Sequence, residues 1–439
     1  MSIVEQLIAA GMSETEAPIK AARFAELDRH LPTGAEPLRC FVPGRIEVLG
    51  KHTDYAGGRS LLCTAERGFC VAATPRSDAA VRINDVLRRK TVELTLSTKL
   101  DIPAFGWTVY PSVVVRRLAR NFPGANSGAD IILSSDLPSA AGMSSSSALV
   151  VAIFAALSAV NHLAERIEYT ANIAGAEDLA GYLGCIENGQ TYKSLTGDGG
   201  VGTFGGSEDH TAILTSQPGH LKQYSFCPVR FERSVKLPGD CVFVIGVSGV
   251  VADKTGSAKA SYNRASQGVR SILEIWRAAS GSNAATLAEA ATRSPDAPDQ
   301  IRAALRQPNS GETAWLLNRF EQFVLESETI IPQASAALAG GDLQTFGKLV
   351  DQSQDATEKL LGNQVLETVW LAAEARALGA YAASAFGAGF GGSVWALVDR
   401  THAEGFINRW REAYQHSGHA AALYSQFFLT PAGPPMIQL

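Results

Sequence analysis

No segment of this 439-residue chain is apolar for long enough to cross a bilayer. The longest such stretch, Ala148 to Val160, falls short of the roughly 20 residues that a hydrocarbon core requires. The opening MSIVEQLIAAGMSETEAPIKAARF carries acids early and lacks the basic start and continuous apolar run of an export signal. Paired cysteines are missing too. Cys40, Cys63, Cys70, Cys185, Cys227 and Cys241 form no CxxC and have no histidines at zinc spacing, which excludes a disulfide scaffold or a zinc module. They read as buried thiols of a reducing compartment, so the expected location is cytoplasmic. Excess positive charge is also absent: Lys and Arg number 38 against 43 Asp and Glu, a net of −5. Such a balance offers no field for a nucleic-acid backbone. There is no internal repeat at solenoid period, and no GK[ST] ending of a Walker A loop.

What remains is a globular composition, 46% hydrophobic and 18% charged, in a chain longer than the ~250–300 residues at which a single core stops growing. Two domains are expected, 1–220 and 221–439. The first ~35 residues pattern as helix, and Arg39 to Val48, Leu61 to Pro75, Ala80 to Asn84 and Lys90 to Leu96 as strands. Tyr110 to Asn121 reads as helix. Ala129 to Leu133 reads as a strand running through a small-residue loop into an alanine-rich helix. His210 to Thr215 is strand-like, and Cys241 to Val247 is a buried strand. From Ser257 to about Ala377 the pattern is helical. Tyr381 to Ala385 and Val394 to Val398 flank a glycine turn, and a last strand falls within Ala420 to Leu429.

Three segments carry chemistry. PSAAGMSSSSAL, Pro138 to Leu149, combines small residues that let backbone N–H groups approach an anion with hydroxyl donors and a helix start whose dipole favours negative charge. A plain serine-capped helix start explains the same letters. FGAGFGG, Phe386 to Gly392, lies between two strands and reads by itself as a tight hairpin. GRIEVLGKHTDYAGG, Gly44 to Gly58, packs Arg45, Lys51, His52, Asp54 and Tyr55 behind an apolar strand. A carboxylate such as Asp54 can accept from two vicinal sugar hydroxyls, although a solvated polar turn is the bland reading.

All three segments occur in the order found in the GHMP kinase superfamily, and the chain is identified as a member of it. The first resembles the galactokinase pattern GRxNxIGEHTDYxGG, the second is similar to the PxGxGLSSSA phosphate loop, and GAGFGG resembles the third motif. The resemblance implies an α+β fold of two domains with the active site in the cleft between them. It also implies transfer of the γ-phosphoryl group of ATP to the anomeric hydroxyl of a monosaccharide, with galactose leading, and no nucleic-acid or membrane partner. Asp209 in GGSEDHTAIL, similar to the family's GIMDQ stretch, would be the base or orienting group. Arg45 would hold it ionised and stabilise transition-state charge. His52, Asp54, Gly206 and Tyr262 would meet the sugar. Ala141, Gly142, Met143, Ser144, Ser145 and Ser146 would cradle ATP phosphates, with Trp107 and Tyr110 near the base. Mg²⁺ would take Ser146 and Glu187, with Glu177 as the alternative carboxylate.

Departures carry weight as well. Lys51 stands where the family has a Glu near the sugar's sixth carbon, so it is expected to meet a carboxylate such as that of a uronic acid. EDHTAIL and YNR likewise resemble the galacturonokinase branch. Ala140 and Ala141 replace glycine, at little cost if φ is negative. His210 follows the Asp in place of Gln. A galactokinase-like sensor that binds without turnover is the reading from a different class.

Overall fold

The computed structural model describes residues 1–32, 36–252, 259–307 and 312–439. Its strands are β1 Leu38–Leu49, β2 Arg59–Pro75, β3 Ala80–Asp85, β4 Lys90–Thr95, β5 Ala129–Ser135, β6 His220–Ser225, β7 Arg230–Lys236, β8 Cys241–Val247, β9 Ala382–Phe386, β10 Ser393–Asp399, β11 Gln426–Thr430 and β12 Ile437–Gln438. Eight of them form a mixed sheet in the order β12-β1-β2-β5-β3-β4, with β6 added along β2 and β7 along β6. The other four form a second sheet, β11-β8-β10-β9. The long β1–β2 pair is antiparallel, and its register shifts between Pro43 and Arg45 and again between Glu47 and Leu49. Irregularities of this kind re-aim side chains, and here they fall in the segment richest in polar groups.

Helix Ser145–Val160 explains why the first sheet is closed on one face. It is buried without a break from Ser147 to Leu157, as an all-apolar helix must be. It joins the sheet residues Val42, Ile46, Val71 and Ile131 in the main core, together with helix Val109–Asn121. A second core lies between the four-stranded sheet and helices Leu366–Ala377 and Ala403–Gln415. A third is built from helices Lys259–Ser280, Leu287–Thr292, Ala297–Leu305 and Thr313–Val324, and Ala56 of the HTDYAGG segment packs into it.

Two expectations change. The strand-like His210 to Thr215 lies in a helix, Glu208–Thr215: its short apolar run fits either period, and its packing against helix Ala176–Asn188 decides the matter. The strands β6 and β7 lie beyond residue 220 yet pair into the first sheet, so we propose that the domain division falls between Lys236 and Cys241. The expected start of a helix at Ser257 lies outside the described residues. Among the described residues no helix is long and apolar enough to cross a membrane.

Candidate active site

The segment after β1 turns sharply, with Gly50 at φ +128°, His52 at +58° and Gly57 at +80°. It then runs through a single 3₁₀ turn, Asp54–Ala56. Thr53 Oγ1 ties the loop by donating to the carbonyls of Gly50 at 2.8 Å and Arg59 at 2.6 Å. Buried Arg319 donates to the His52 carbonyl at 2.5 Å, and Gln322 Nε2 to the Lys51 carbonyl at 3.1 Å. The backbone is therefore held from the helical core behind it, with His52, Asp54 and Tyr55 in the wall of the cavity in front.

Arg45, Asp54, Glu187, Asp209 and Tyr262 converge on one polar cavity, together with His52 and the backbone of Gly205 and Gly206. Arg45 Nε and Nη2 both donate to Asp209 Oδ1, at 2.8 and 2.5 Å. Burial of this guanidinium works against its charge, but the carboxylates of Asp209, Glu208 and Glu47 outweigh that and raise its pKa. Asp54 Oδ1 accepts from its neighbour Tyr55 N at 2.8 Å, and its Oδ2 from Glu208 N at 3.1 Å. A Cβ on Gly206 would lie 2.3 Å from Asp54 Oδ2, so only glycine fits there. His52 Nδ1 and Nε2 lie 2.8 Å from the Tyr55 hydroxyl and 3.0 Å from the Ala388 carbonyl, respectively. Tyr262 is buried, and desolvation ahead of the nearby Asp54 charge raises its pKa, so it is a neutral donor.

A second, larger cavity of about 320 Å³ opens beside the first. It is walled by Trp107 and Tyr110 on one side and by Gly142, Ser144, Ser145 and Ser146 on the other. Ser144 occupies the N-cap of helix Ser145–Val160 at φ +59°, but its side chain makes no capping bond and its buried Oγ has no hydrogen-bond partner. The plain-cap reading of the serine run is therefore excluded. A hydroxyl left unsatisfied at the positive end of a helix suits an anion's oxygen. Gly142, at φ +75°, and Gly387, at φ +84°, meet backbone to backbone. A Cβ on the first would lie 2.9 Å from the Phe386 carbonyl oxygen, and on the second 2.8 Å from that of Gly142. This contact seats the FGAGFGG hairpin of the second sheet on the phosphate-type loop of the first. Arg45, Gly387 and Ala388 line both cavities.

Several sequence-derived site residues lie elsewhere. Lys51 is not in the cavity wall: it is 1% exposed, and its Nζ donates to Ser353 Oγ at 3.4 Å. Ala141 and Met143 are also absent from the wall of the larger cavity. Their carbonyls accept from Ser393 Oγ and Arg45 N, so they anchor the loop instead. Glu177 lies in the first turn of helix Ala176–Asn188, within electrostatic reach of Lys222, and walls neither cavity. Glu187, on the last turn of the same helix, is in the polar cavity. Ala140 adopts φ +50°, so its methyl is strained by about 1–2 kcal/mol rather than tolerated.

The structure also adds residues that sequence reasoning missed. Ser147 Oγ donates to Glu187 Oε2 at 2.8 Å and Asp209 Oδ2 at 3.2 Å, linking the two carboxylates. Arg88 and Lys90 line the larger cavity from the β3–β4 hairpin, and the run Arg88-Arg89-Lys90 was the legible signal. Glu47 and Glu208 occupy the Asn and Met positions of the two quoted patterns, a departure visible in the letters. Burial pushes the Glu47 carboxyl up to about 7, against the opposing charges of Arg45 and Lys51. Burial, and then Glu47 itself, raise Glu208 well above the usual range.

Comparison with known proteins agrees with this geometry. Three family models match in chain order: the galactokinase galactose-binding signature over residues 32–75, the GHMP kinase N-terminal domain over 109–184 and the GHMP kinase C-terminal domain over 334–416. Each of the three is a GHMP kinase or galactokinase signature, so the chain resembles the GHMP kinases from its first motif to its last. Within that superfamily it is similar to the galactokinase of Roseiflexus sp. strain RS-1, 28% identical over 87% of this chain and 89% of the relative. The galactokinase of Chloroflexus aurantiacus is 29% identical over 90% and 91%. Its fold is that of the Lactococcus lactis galactokinase crystallised with galactose, at a TM-score of 0.77 and 22% identity, covering 95% of this chain and 98% of the other. A mevalonate kinase superposes less well, at 0.54 and 15% identity, covering 90% of this chain and 99% of the other. The GHMP kinases that it resembles use ATP, and its mixed helix-and-sheet fold matches theirs.

Proposed function

We propose that this GHMP kinase transfers the γ-phosphoryl group of ATP to the anomeric hydroxyl of galactose, giving galactose 1-phosphate and ADP. The observation that carries this reading is the Arg45–Asp209 pair at the seam of two cavities, one polar and one with an aromatic side and a serine loop. The galactokinase names of the most similar relatives support the choice of sugar. ATP takes the larger cavity, its phosphates against Gly142 and Ser144–Ser146 and its base toward Trp107 and Tyr110. The sugar takes the polar cavity, its hydroxyls on Asp54, His52 and Tyr262 and its ring against Gly206.

Phosphoryl transfer needs positioning and neutralised charge more than covalent chemistry. Asp209 orients the anomeric hydroxyl and accepts its proton. Arg45 keeps two donors on Asp209, and its third nitrogen, Nη1, has no hydrogen-bond partner; that donor is available to a phosphoryl oxygen. Among the described residues no group of three acidic, histidine or cysteine side chains forms a self-sufficient metal cage. This donor set suits Mg²⁺, which keeps several waters and shares its ligands with nucleotide phosphates. Ser146 and Glu187 would hold it, with Ser147 fixing the Glu187 carboxylate, and the ion would supply charge neutralisation. Six unpaired cysteines and dependence on ATP support a cytoplasmic location.

The test is ADP release with galactose, followed by identification of the phosphorylated carbon by ³¹P–¹H correlation NMR. Phosphate on C1 is expected. Phosphate on another carbon, or no turnover with ATP bound, would refute the reading and favour a non-catalytic sensor.

A further inference from the structure

Position 51, where the galactokinase pattern has an acid, no longer serves the sugar cavity. Lys51 is turned into the helical core, toward Ser353, and its charge acts on Glu47 from behind. Glu47 stands four residues earlier on β1, is 3% exposed, lies in the wall of the polar cavity, and its Oε1 has no hydrogen-bond partner. A carboxylate oxygen left unsatisfied in a buried wall is destabilising. A ligand hydroxyl at that point would remove the penalty. The other oxygen is held in place: Oε2 lies 3.8 Å from Arg45 Nη1, and the carboxyl hydrogen-bonds Glu208. Glu208 in turn accepts from Ser60 Oγ at 2.6 Å and lies 3.5 Å from Arg45 Nε.

We propose that Glu47 is a specificity-determining residue, one that accepts a sugar hydroxyl in place of position 51 and makes the pocket select uncharged sugars over carboxylated ones. The inference rests on the kinase reading above and deepens it. Charge in the wall supports it: Glu47, Asp54, Glu187, Glu208 and Asp209 face the cavity against the single guanidinium of Arg45. Even with one proton shared between Glu47 and Glu208, negative charge is in excess. A uronic acid would bring its carboxylate into this field with no cation beyond Arg45, which Asp209 already engages, because the lysine that the sequence offered points elsewhere. Like-charge juxtaposition is a strong means of rejection.

Calorimetric titration of the wild-type protein with galactose and with galacturonate, in the presence of a non-hydrolysable ATP analogue, tests the selection without relying on turnover. Galactose is expected to bind at least about 100-fold more tightly; equal binding, or a preference for galacturonate, overturns the proposal. Steady-state ADP release then assigns the effect to the residue. In Glu47→Gln and Glu47→Asn the ratio of kcat/KM for the two sugars should narrow by about tenfold or more, with KM for galactose rising further than kcat falls. A ratio unmoved in both variants, each checked for folding by its thermal midpoint, overturns the assignment. Wild-type silence in turnover with galactose still binding would instead count against the kinase reading alone.

Discussion

Asp209 and Arg45 are 164 positions apart in the chain, yet two guanidinium N–H groups share one carboxylate oxygen. Asp209→Asn should lower kcat by about 10²–10⁴-fold, the usual scale for loss of a positioned base, and leave the ATP dissociation constant within about twofold in a nucleotide titration. Glu47 gives a prediction of a different kind. Its folded pKa, about 7, lies above the ordinary value of 4.5, so between those pH values the native state holds a proton that the unfolded chain has released. Stability should therefore fall as pH rises from about 4.5 through about 7, by up to about 3 kcal/mol. Denaturant midpoints measured across that window should show the slope in wild type and a shallower one in Glu47→Gln, where the raised Glu208 carboxyl still contributes. At Lys51 the expectation drawn from sequence is reversed. Lys51→Glu should not retune sugar preference; it would bury an acid beside Glu47 and near Glu326, costing about 3–5 kcal/mol, readable as a large loss of thermal midpoint.

Among the elements, the two glycine-bearing loops depend on each other. The serine loop reaches the nucleotide cavity from the first sheet, and the β9–β10 hairpin covers it from the second, with Gly142 and Gly387 in backbone contact. Gly387→Ala would force a methyl against the Gly142 carbonyl at a left-handed φ. It should cost about 1–3 kcal/mol and weaken ATP binding about tenfold or more, measured by fluorescent nucleotide titration. The hairpin was legible in the sequence from its glycine run between two short apolar segments. Its role as a cover was not, since no local pattern says which loop a glycine turn will approach. The helix at Glu208–Thr215 shows the same limit in another form. Eight residues with a short apolar run satisfy two periods, and the choice was made by contacts with a helix some thirty residues earlier.

For the whole molecule, the site draws on both sheets and on the helical bundle that holds the HTDY loop, so ligand binding should be coupled to global stability. At 100 times its dissociation constant, ATP should stabilise the protein by about 2.7 kcal/mol. Galactose should add a further increment in thermal-shift measurements, because the two ligands take adjoining cavities; the absence of any shift with ATP would contradict the placement. The sequence by itself determined the superfamily, the three motifs in order, and the catalytic candidates Asp209 and Arg45, because phosphate and sugar binding constrain short contiguous stretches of small and polar residues. Only the tertiary structure decided where side chains point. Lys51 and Glu47 belong to the same fifteen-residue motif, and nothing in their letters tells which faces the sugar. The β1 irregularities and the helices packed behind turn one into the core and leave the other in the cavity wall, and that orientation sets the charge a substrate meets.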